Sequence, residues 1–290
     1  MREGVNLQNS GPKDIVGLIP AGGVGSRIAP LPMSKELFPI GFQAMKGKGV
    51  LKPKVVSHYL LDKFAKAGIR KTFIIIRHGK WDIPAYYRDG ASVNMHLGYL
   101  MMKDPFGPPF TLDQAYPFVQ NQIVAFGFPD ILFGPEDVFQ QLLRRLSSEQ
   151  SDVILALYKA HNPQMMDMVD IRGNGKVHGI YLKPSKTNLK LAWLCAVWTP
   201  VFTDFMHKFL QIYKKNIVKR DEANKKTKKQ KDLTVGAVLQ AGIKKGLKVY
   251  GVTFPKAKYL DIGTPQGLLA SVKMVGGQMS FRSTPERVVF

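Results

Sequence analysis

The chain has almost no cysteine. Only Cys195 occurs among its 290 residues, which excludes an intramolecular disulfide and suits a reducing compartment such as the cytoplasm. Cys195 lies in the apolar stretch LAWLCAVW and reads as inert core rather than as a nucleophile. Acidic residues are also scarce: 21 Asp and Glu stand against 42 Lys and Arg, a formal charge of +21. No run of about 18 apolar residues exists, so no membrane span is expected. The opening MREGVNLQNSGPKD lacks the apolar segment and small-residue site of a secretory signal. The six histidines (58, 78, 96, 161, 178 and 207) have no close zinc-ligand spacing. There is no GxSxG elbow and no GxxxxGK(S/T) loop, and a GxGxxG fingerprint fails at Ile28.

What is abundant is positive charge, which points to anionic partners: nucleic acid, an anionic surface, or acidic small molecules. Residues 214–231 hold nine basic and two acidic side chains. Only Tyr213 adjoins that run, so it offers no stacking platform for single strands. Its plain reading, for 216–231 in particular, is a solvated, flexible segment, and nucleic acid is not the expected partner.

Along the chain, buried strand-like runs alternate with helical patterns. Residues 72–77, 122–127 and 153–158 read as parallel strands. Residues 54–67 read as a helix with Val56, Tyr59, Leu60 and Phe64 on its apolar face, stopped by Gly68. Residues 136–148 read as a second helix, with two acids in its first turn after Pro135. This alternation predicts an α/β fold with a mostly parallel sheet. The second half predicts a hairpin over 169–184, a strand over 191–198, helices over 201–215, 233–244 and 265–274, and a strand over 247–254. The expectation is one domain over 13–278, with 169–198 as a small added β-lobe.

Two features carry chemistry. The first is IVGLIPAGGVGSRIAPLPMSKELFP, residues 15–39. A buried strand runs into Ala21, Gly22, Gly23 and Gly25, followed by Arg27 and Lys35. Glycines let backbone N–H groups approach phosphate oxygens, and the two cations offset their charge. The glycines alone favour a structural turn, and it is the two cations that shift the reading toward phosphate. The second is a pair of carboxylates able to serve a divalent metal. Asp130 follows a buried strand, at the sheet edge where open α/β folds place ligands. Asp261 precedes a helix start. Each also has a bland reading, as an Asx-turn for Asp130 and a turn or cap residue for Asp261.

In this order and spacing, the glycine loop, Asp130, Lys183-Pro184 and Asp261-Ile262-Gly263-Thr264-Pro265 resemble the sugar-1-phosphate nucleotidyltransferases. The glucose-1-phosphate thymidylyltransferase and uridylyltransferase branch is the most similar. The resemblance runs from about residue 14 to 275 and implies a Rossmann-like three-layer α/β/α fold. It implies that Ala21–Arg27 and Lys35 hold an NTP triphosphate, with Thr111, in TLDQA, beside the base. It implies that Asp130 and Asp261 bind Mg²⁺, that Lys183 grips the sugar phosphate, and that Asp170 lies beside the sugar in a sugar-binding lobe. Arg27, Lys35 and Lys183 would carry the catalysis. The partners implied are an NTP (dTTP or UTP) and a sugar-1-phosphate; a homo-oligomer stays open. Leu182 stands where the family has a glutamate, Thr111 replaces a glycine, and Cys195–Trp198 replace a Gly-Leu-Tyr pattern near the sugar. Two alternatives therefore remain: transfer to a different phosphate acceptor, or a non-catalytic nucleotide-sugar binder.

Overall fold

The computed structural model describes residues 14–44, 50–103, 106–224 and 232–278. Strand β1 (Ile15–Pro20) opens into the glycine loop, and a single 3-10 turn, Lys35–Leu37, precedes the hairpin of β2 (Pro39–Ala44) and β3 (Leu51–Val55). Helix α1 (Val56–Lys66) leads to β4 (Lys71–Ile76), the short α2 (Asp82–Tyr87) and β5 (His96–Met101). Helices α3 (Pro108–Asp113) and α4 (Tyr116–Val119) come before β6 (Ile123–Gly127), β7 (Ile131–Phe133), α5 (Val138–Glu149) and β8 (Val153–Lys159). The remainder is β9 (Asp167–Arg172), β10 (Lys176–Leu182), β11 (Leu191–Trp198), α6 (Pro200–Asn224), α7 (Val235–Lys244), β12 (Val249–Thr253), β13 (Tyr259–Asp261) and α8 (Pro265–Gln278).

The main sheet has the order β5-β4-β1-β6-β11-β8-β12-β10-β9, with a further β11–β9 pairing. Strands β5, β4, β1 and β6 pair in parallel, as do β8 and β12. β11 lies antiparallel between β6 and β8. The β9–β11 contact closes a ring of five strands, β11-β8-β12-β10-β9.

Alternate residues of the strands point to opposite layers. Ile19, Ile74 and Ala125 meet Leu60 and Phe64 of α1 and Phe139 and Leu142 of α5 on one face. Leu18, Ile75 and Phe126 meet Phe110 of α3, Phe202 and Met206 of α6, and Val238 of α7 on the other. Phe64 and Phe139 pack edge to face at 4.7 Å and are both fully buried; each contributes about 1.5–3 kcal/mol by leaving water. The four apolar positions expected on α1 are all buried. Among the described residues, no helix is long and apolar enough to cross a membrane.

Three elements differ from the sequence reading. Leu191–Trp198, expected in the added lobe, joins the main sheet as well as pairing with β9. It lies in the middle of the sheet, where a strand covered on both faces has to be apolar throughout. Helix α6 continues to Asn224, beyond the helix expected over 201–215, so 216–224 is helical; no glycine or proline interrupts it. Residues 225–231 of the basic run lie outside the described residues. Glu136 and Asp137 precede α5 rather than forming its first turn, and Glu136 accepts a 2.6 Å hydrogen bond from the buried Lys63 Nζ. Removing that partner would leave a buried charge uncompensated.

Candidate active site

The glycine loop starts at the carboxyl edge of the parallel strands, where Ala21 N–H donates to the Ile75 carbonyl at 2.7 Å. Gly22 is buried, and a Cβ there would lie 2.9 Å from Met102 Sδ and 3.6 Å from Thr111 Cγ2. Ala21, Gly22 and Thr111 thus share one corner. Gly25 has φ +70°, a conformation that favours glycine, and it turns the loop back over the Lys35 side chain. Two stapling contacts hold the far end. The Ser34 N–H and Oγ–H donate to the two Asp82 carboxylate oxygens at 2.6 and 2.7 Å. Lys80 Nζ donates to both Glu36 oxygens at 2.7 Å, and this pair is buried. Burial raises the Glu36 carboxyl above its ordinary range even though Lys80 and Lys35 pull the other way.

The two carboxylates meet because β7 and β13 pair. Asp130 immediately precedes β7, Asp261 closes β13, and Asp261 stands opposite Ile131. Ile262 N–H donates to the Asp130 carbonyl at 3.0 Å. A Cβ on Gly263 would lie 2.7 Å from Asp130 Oδ2, 3.0 Å from Asp261 Oδ1 and 3.2 Å from an Arg27 Nη. Asp130, Asp261 and Arg27 therefore converge on one point. Burial, then the Asp130 charge, raises the Asp261 carboxyl; the Gly263 N–H, Arg27 and Lys35 oppose the shift.

Lys35 Nζ donates to Asp130 Oδ2. Burial alone would lower the Lys35 ammonium. The attraction and hydrogen bond of Asp130, with the charges of Glu36 and Asp261, outweigh it and raise the group. Asp261 also serves as a turn residue, because its Oδ1 accepts the Gly263 N–H at 2.8 Å. Thr264 rather than Asp261 meets the start of α8, its Oγ1 accepting the Gly267 N–H at 3.1 Å.

Arg27 and Asp261 line a cleft of about 830 Å³ that also takes in Lys183, Asp167, Trp193 and His161. Lys183 follows β10 at φ +42°. Of the residues singled out from sequence, Arg27, Asp261 and Lys183 share this cleft. Lys35 and Asp130 adjoin it through Gly263 and Asp261. Asp170 does not line it; its carboxylate stands 3.5 Å from Arg172. Leu182 is exposed and outside the lining. Cys195–Trp198 are buried in the core, so they do not face the cleft; Trp193 and Leu194 do. Trp193 both packs in the core and lines the cleft.

Asp167 was not singled out from sequence. The β9–β11 register sets Met168 against Ala192, and so Asp167 against Trp193. Asp167 Oδ1 and Trp193 Nε1 are both buried without a hydrogen-bond partner. Burial raises the Asp167 carboxyl although Lys183 draws it down. Its place as the first residue of β9, directly ahead of the buried Met168 and Val169, is the signal that could have exposed it. Asp130 and Asp261 offer hard carboxylate oxygens, and among the described residues no group of three or more metal-ligating side chains exists. That donor set fits Mg²⁺ completed by phosphates and water rather than an all-protein cage.

The sequence profile of the nucleotidyl transferase family matches residues 16–275. No curated protein matches the sequence. Among solved structures, one assigned as a glucose-1-phosphate thymidylyltransferase from Bacillus anthracis, in complex with sucrose, superposes with a TM-score of 0.70 at 17% identity. It covers 90% of this chain and 95% of its own. A UDP-glucose pyrophosphorylase complexed with UDP-glucose superposes with a TM-score of 0.67 at 17% identity, covering 92% of this chain and 99% of its own. At that identity the likeness concerns the fold.

Proposed function

The chain belongs to the nucleotidyl transferase family, and from that premise we propose that it transfers a nucleotidyl group from an NTP, dTTP or UTP, to a sugar-1-phosphate. The observation that carries this reading is the meeting of Asp130, Asp261 and Arg27 around Gly263, at the mouth of a cleft that also holds Lys183.

An oxygen of the acceptor phosphate attacks the α-phosphorus in line. The new P–O bond forms as the bond to the β-phosphate oxygen breaks, and pyrophosphate leaves with that electron pair. The acceptor phosphate is largely dianionic at pH 7, since its second pKa is about 6, so no general base is required. The obstacle is charge. At 4 Å, two unit anions repel by about 4 kcal/mol at an effective dielectric of 20. Arg27 and Lys35 hold the triphosphate on the loop, with the base beside Gly22 and Thr111. Lys183 draws in the acceptor phosphate and fixes its line of approach. Mg²⁺, when bound to Asp130 and Asp261, supplies charge neutralisation across the phosphates.

A second reading, transfer to a different phosphate acceptor, is favoured by one observation: the unpartnered Asp167 and Trp193 atoms on the acceptor side of the cleft. The test is to follow pyrophosphate release with Mg²⁺, each NTP and a panel of sugar-1-phosphates. Turnover is expected with at least one pair, falling by about 10²-fold or more in Asp130→Asn. Silence across the panel in a folded protein, or full activity in Asp130→Asn, refutes the proposal.

A further inference from the structure

A second cleft, of about 740 Å³, lies between α5 and the turn of the β9–β10 hairpin, with Gly251 of β12 at its floor. It shares no lining residue with the cleft of Arg27 and Lys183. Its walls carry three guanidinium groups, Arg144, Arg145 and Arg172, and no carboxylate. Gln141, Ser148 and Asn174 add neutral hydrogen-bonding groups.

The three arginines are held differently. Arg145 is fixed: an Nη donates to the Asn174 carbonyl, Glu149 Oε1 lies 3.1 Å away, and the guanidinium sits 5.9 Å from the Tyr250 ring centroid. Its Nε is buried with no partner. Arg172 is exposed and reaches Asp170 only at 3.5 Å. Arg144 is exposed beside it on the helix. Glu149 and Asp170 lie outside the lining, so they temper the charge without occupying the cleft. The turn itself is anchored, since Gly251 N–H donates to the Gly175 carbonyl at 2.8 Å.

A fixed guanidinium beside two exposed ones, of which Arg172 reaches an acid only at 3.5 Å, with no acid in the walls, matches the planar, bidentate chemistry by which arginine takes phosphate. The volume is that of a small-molecule site. We infer that this cleft binds a small anion carrying two or more phosphate groups, such as an inorganic polyphosphate or a nucleoside diphosphate, apart from the catalytic cleft. The inference does not depend on the reaction proposed above.

The test is calorimetric titration of inorganic tripolyphosphate into the full chain carrying Arg27→Ala, which weakens the catalytic loop. One binding site is expected. It should weaken by about tenfold or more when Arg144→Ala and Arg172→Ala are added, with Tm and circular dichroism unchanged. Arg144→Lys with Arg172→Lys, which keeps the charge but loses the fork, should fall between the two. Absent binding, or binding equal in the alanine variants, overturns the inference. So does a DNA duplex that displaces tripolyphosphate with higher affinity and a steep salt slope, which would mark a nucleic-acid surface instead.

Discussion

Gly263→Ala adds one methyl group at the point where Asp130, Asp261 and Arg27 meet. Gly263 does not occupy the left-handed region, so alanine suits its backbone. The new carbon would lie 2.7 Å from Asp130 Oδ2, where ordinary contact begins at 3.4 Å. Asp130 must retreat by about 0.7 Å, Asp261 by about 0.4 Å and Arg27 by about 0.2 Å, each in a different direction. Misplacing reacting groups by about 1 Å costs about 10²-fold in rate. A loss of about 10- to 10²-fold in kcat is therefore expected, or roughly 1.4–2.7 kcal/mol of barrier. Asp130 and Gly263 are buried and Asp130 is paired with Lys35, so some fall in melting temperature should accompany the loss, with the circular dichroism spectrum unchanged. The assay is steady-state pyrophosphate release alongside a thermal melt. Wild-type kcat in this variant would show that the three groups need not converge, and the site as described would be wrong.

Asp261→Asn should trade activity for stability. The folded carboxyl is raised above the ordinary aspartate range by burial and by Asp130. A raised carboxyl costs stability once it ionises, so its penalty appears as pH climbs from about 3.8 through the folded value and is full at pH 7. The asparagine variant should melt higher than wild type at pH 7 and equally below pH 3.8; a lower Tm at pH 7 contradicts the reasoning. Adding Mg²⁺ should raise the wild-type Tm, and this increment should shrink in the variant. Lys183→Ala should raise KM for the acceptor phosphate by about 10-fold or more while KM for the NTP stays put, and equal effects on both would remove its assigned role.

Much of the fold was readable because its signals are local. The α1 stripe of Val56, Tyr59, Leu60 and Phe64 needs only helical spacing to be seen, and the Arg172–Lys176 turn only its two glycines. The glycine loop was readable because its glycines and both cations fall within the fifteen residues that follow β1, 21–35. What escaped depends on pairings between distant residues. Strands β7 and β13 have three residues each, too short for any periodicity to register. The buried Glu36–Lys80 pair spans 44 positions, and nothing in either neighbourhood announces the other. Asp167 became visible only when the β9–β11 register set it against Trp193; Asp170, three residues on and named from sequence, does not line the cleft. The central position of β11 was hidden because a strand in a lobe and a strand covered on both sides can share one apolar pattern.

The seam that brings the two carboxylates together is also, among the described residues, the smallest sheet, apart from the nine-stranded core. Proteins open in local units, and a pair of three-residue strands has few bonds to lose. Heating or mild denaturant should part β7 from β13 while the remaining layers stay closed, and amide exchange at Ile131–Phe133 and Tyr259–Asp261 should run ahead of exchange in β1 and β6. Inactivation and unfolding would then be two separate events in this protein, the first reversible on cooling and set by six residues.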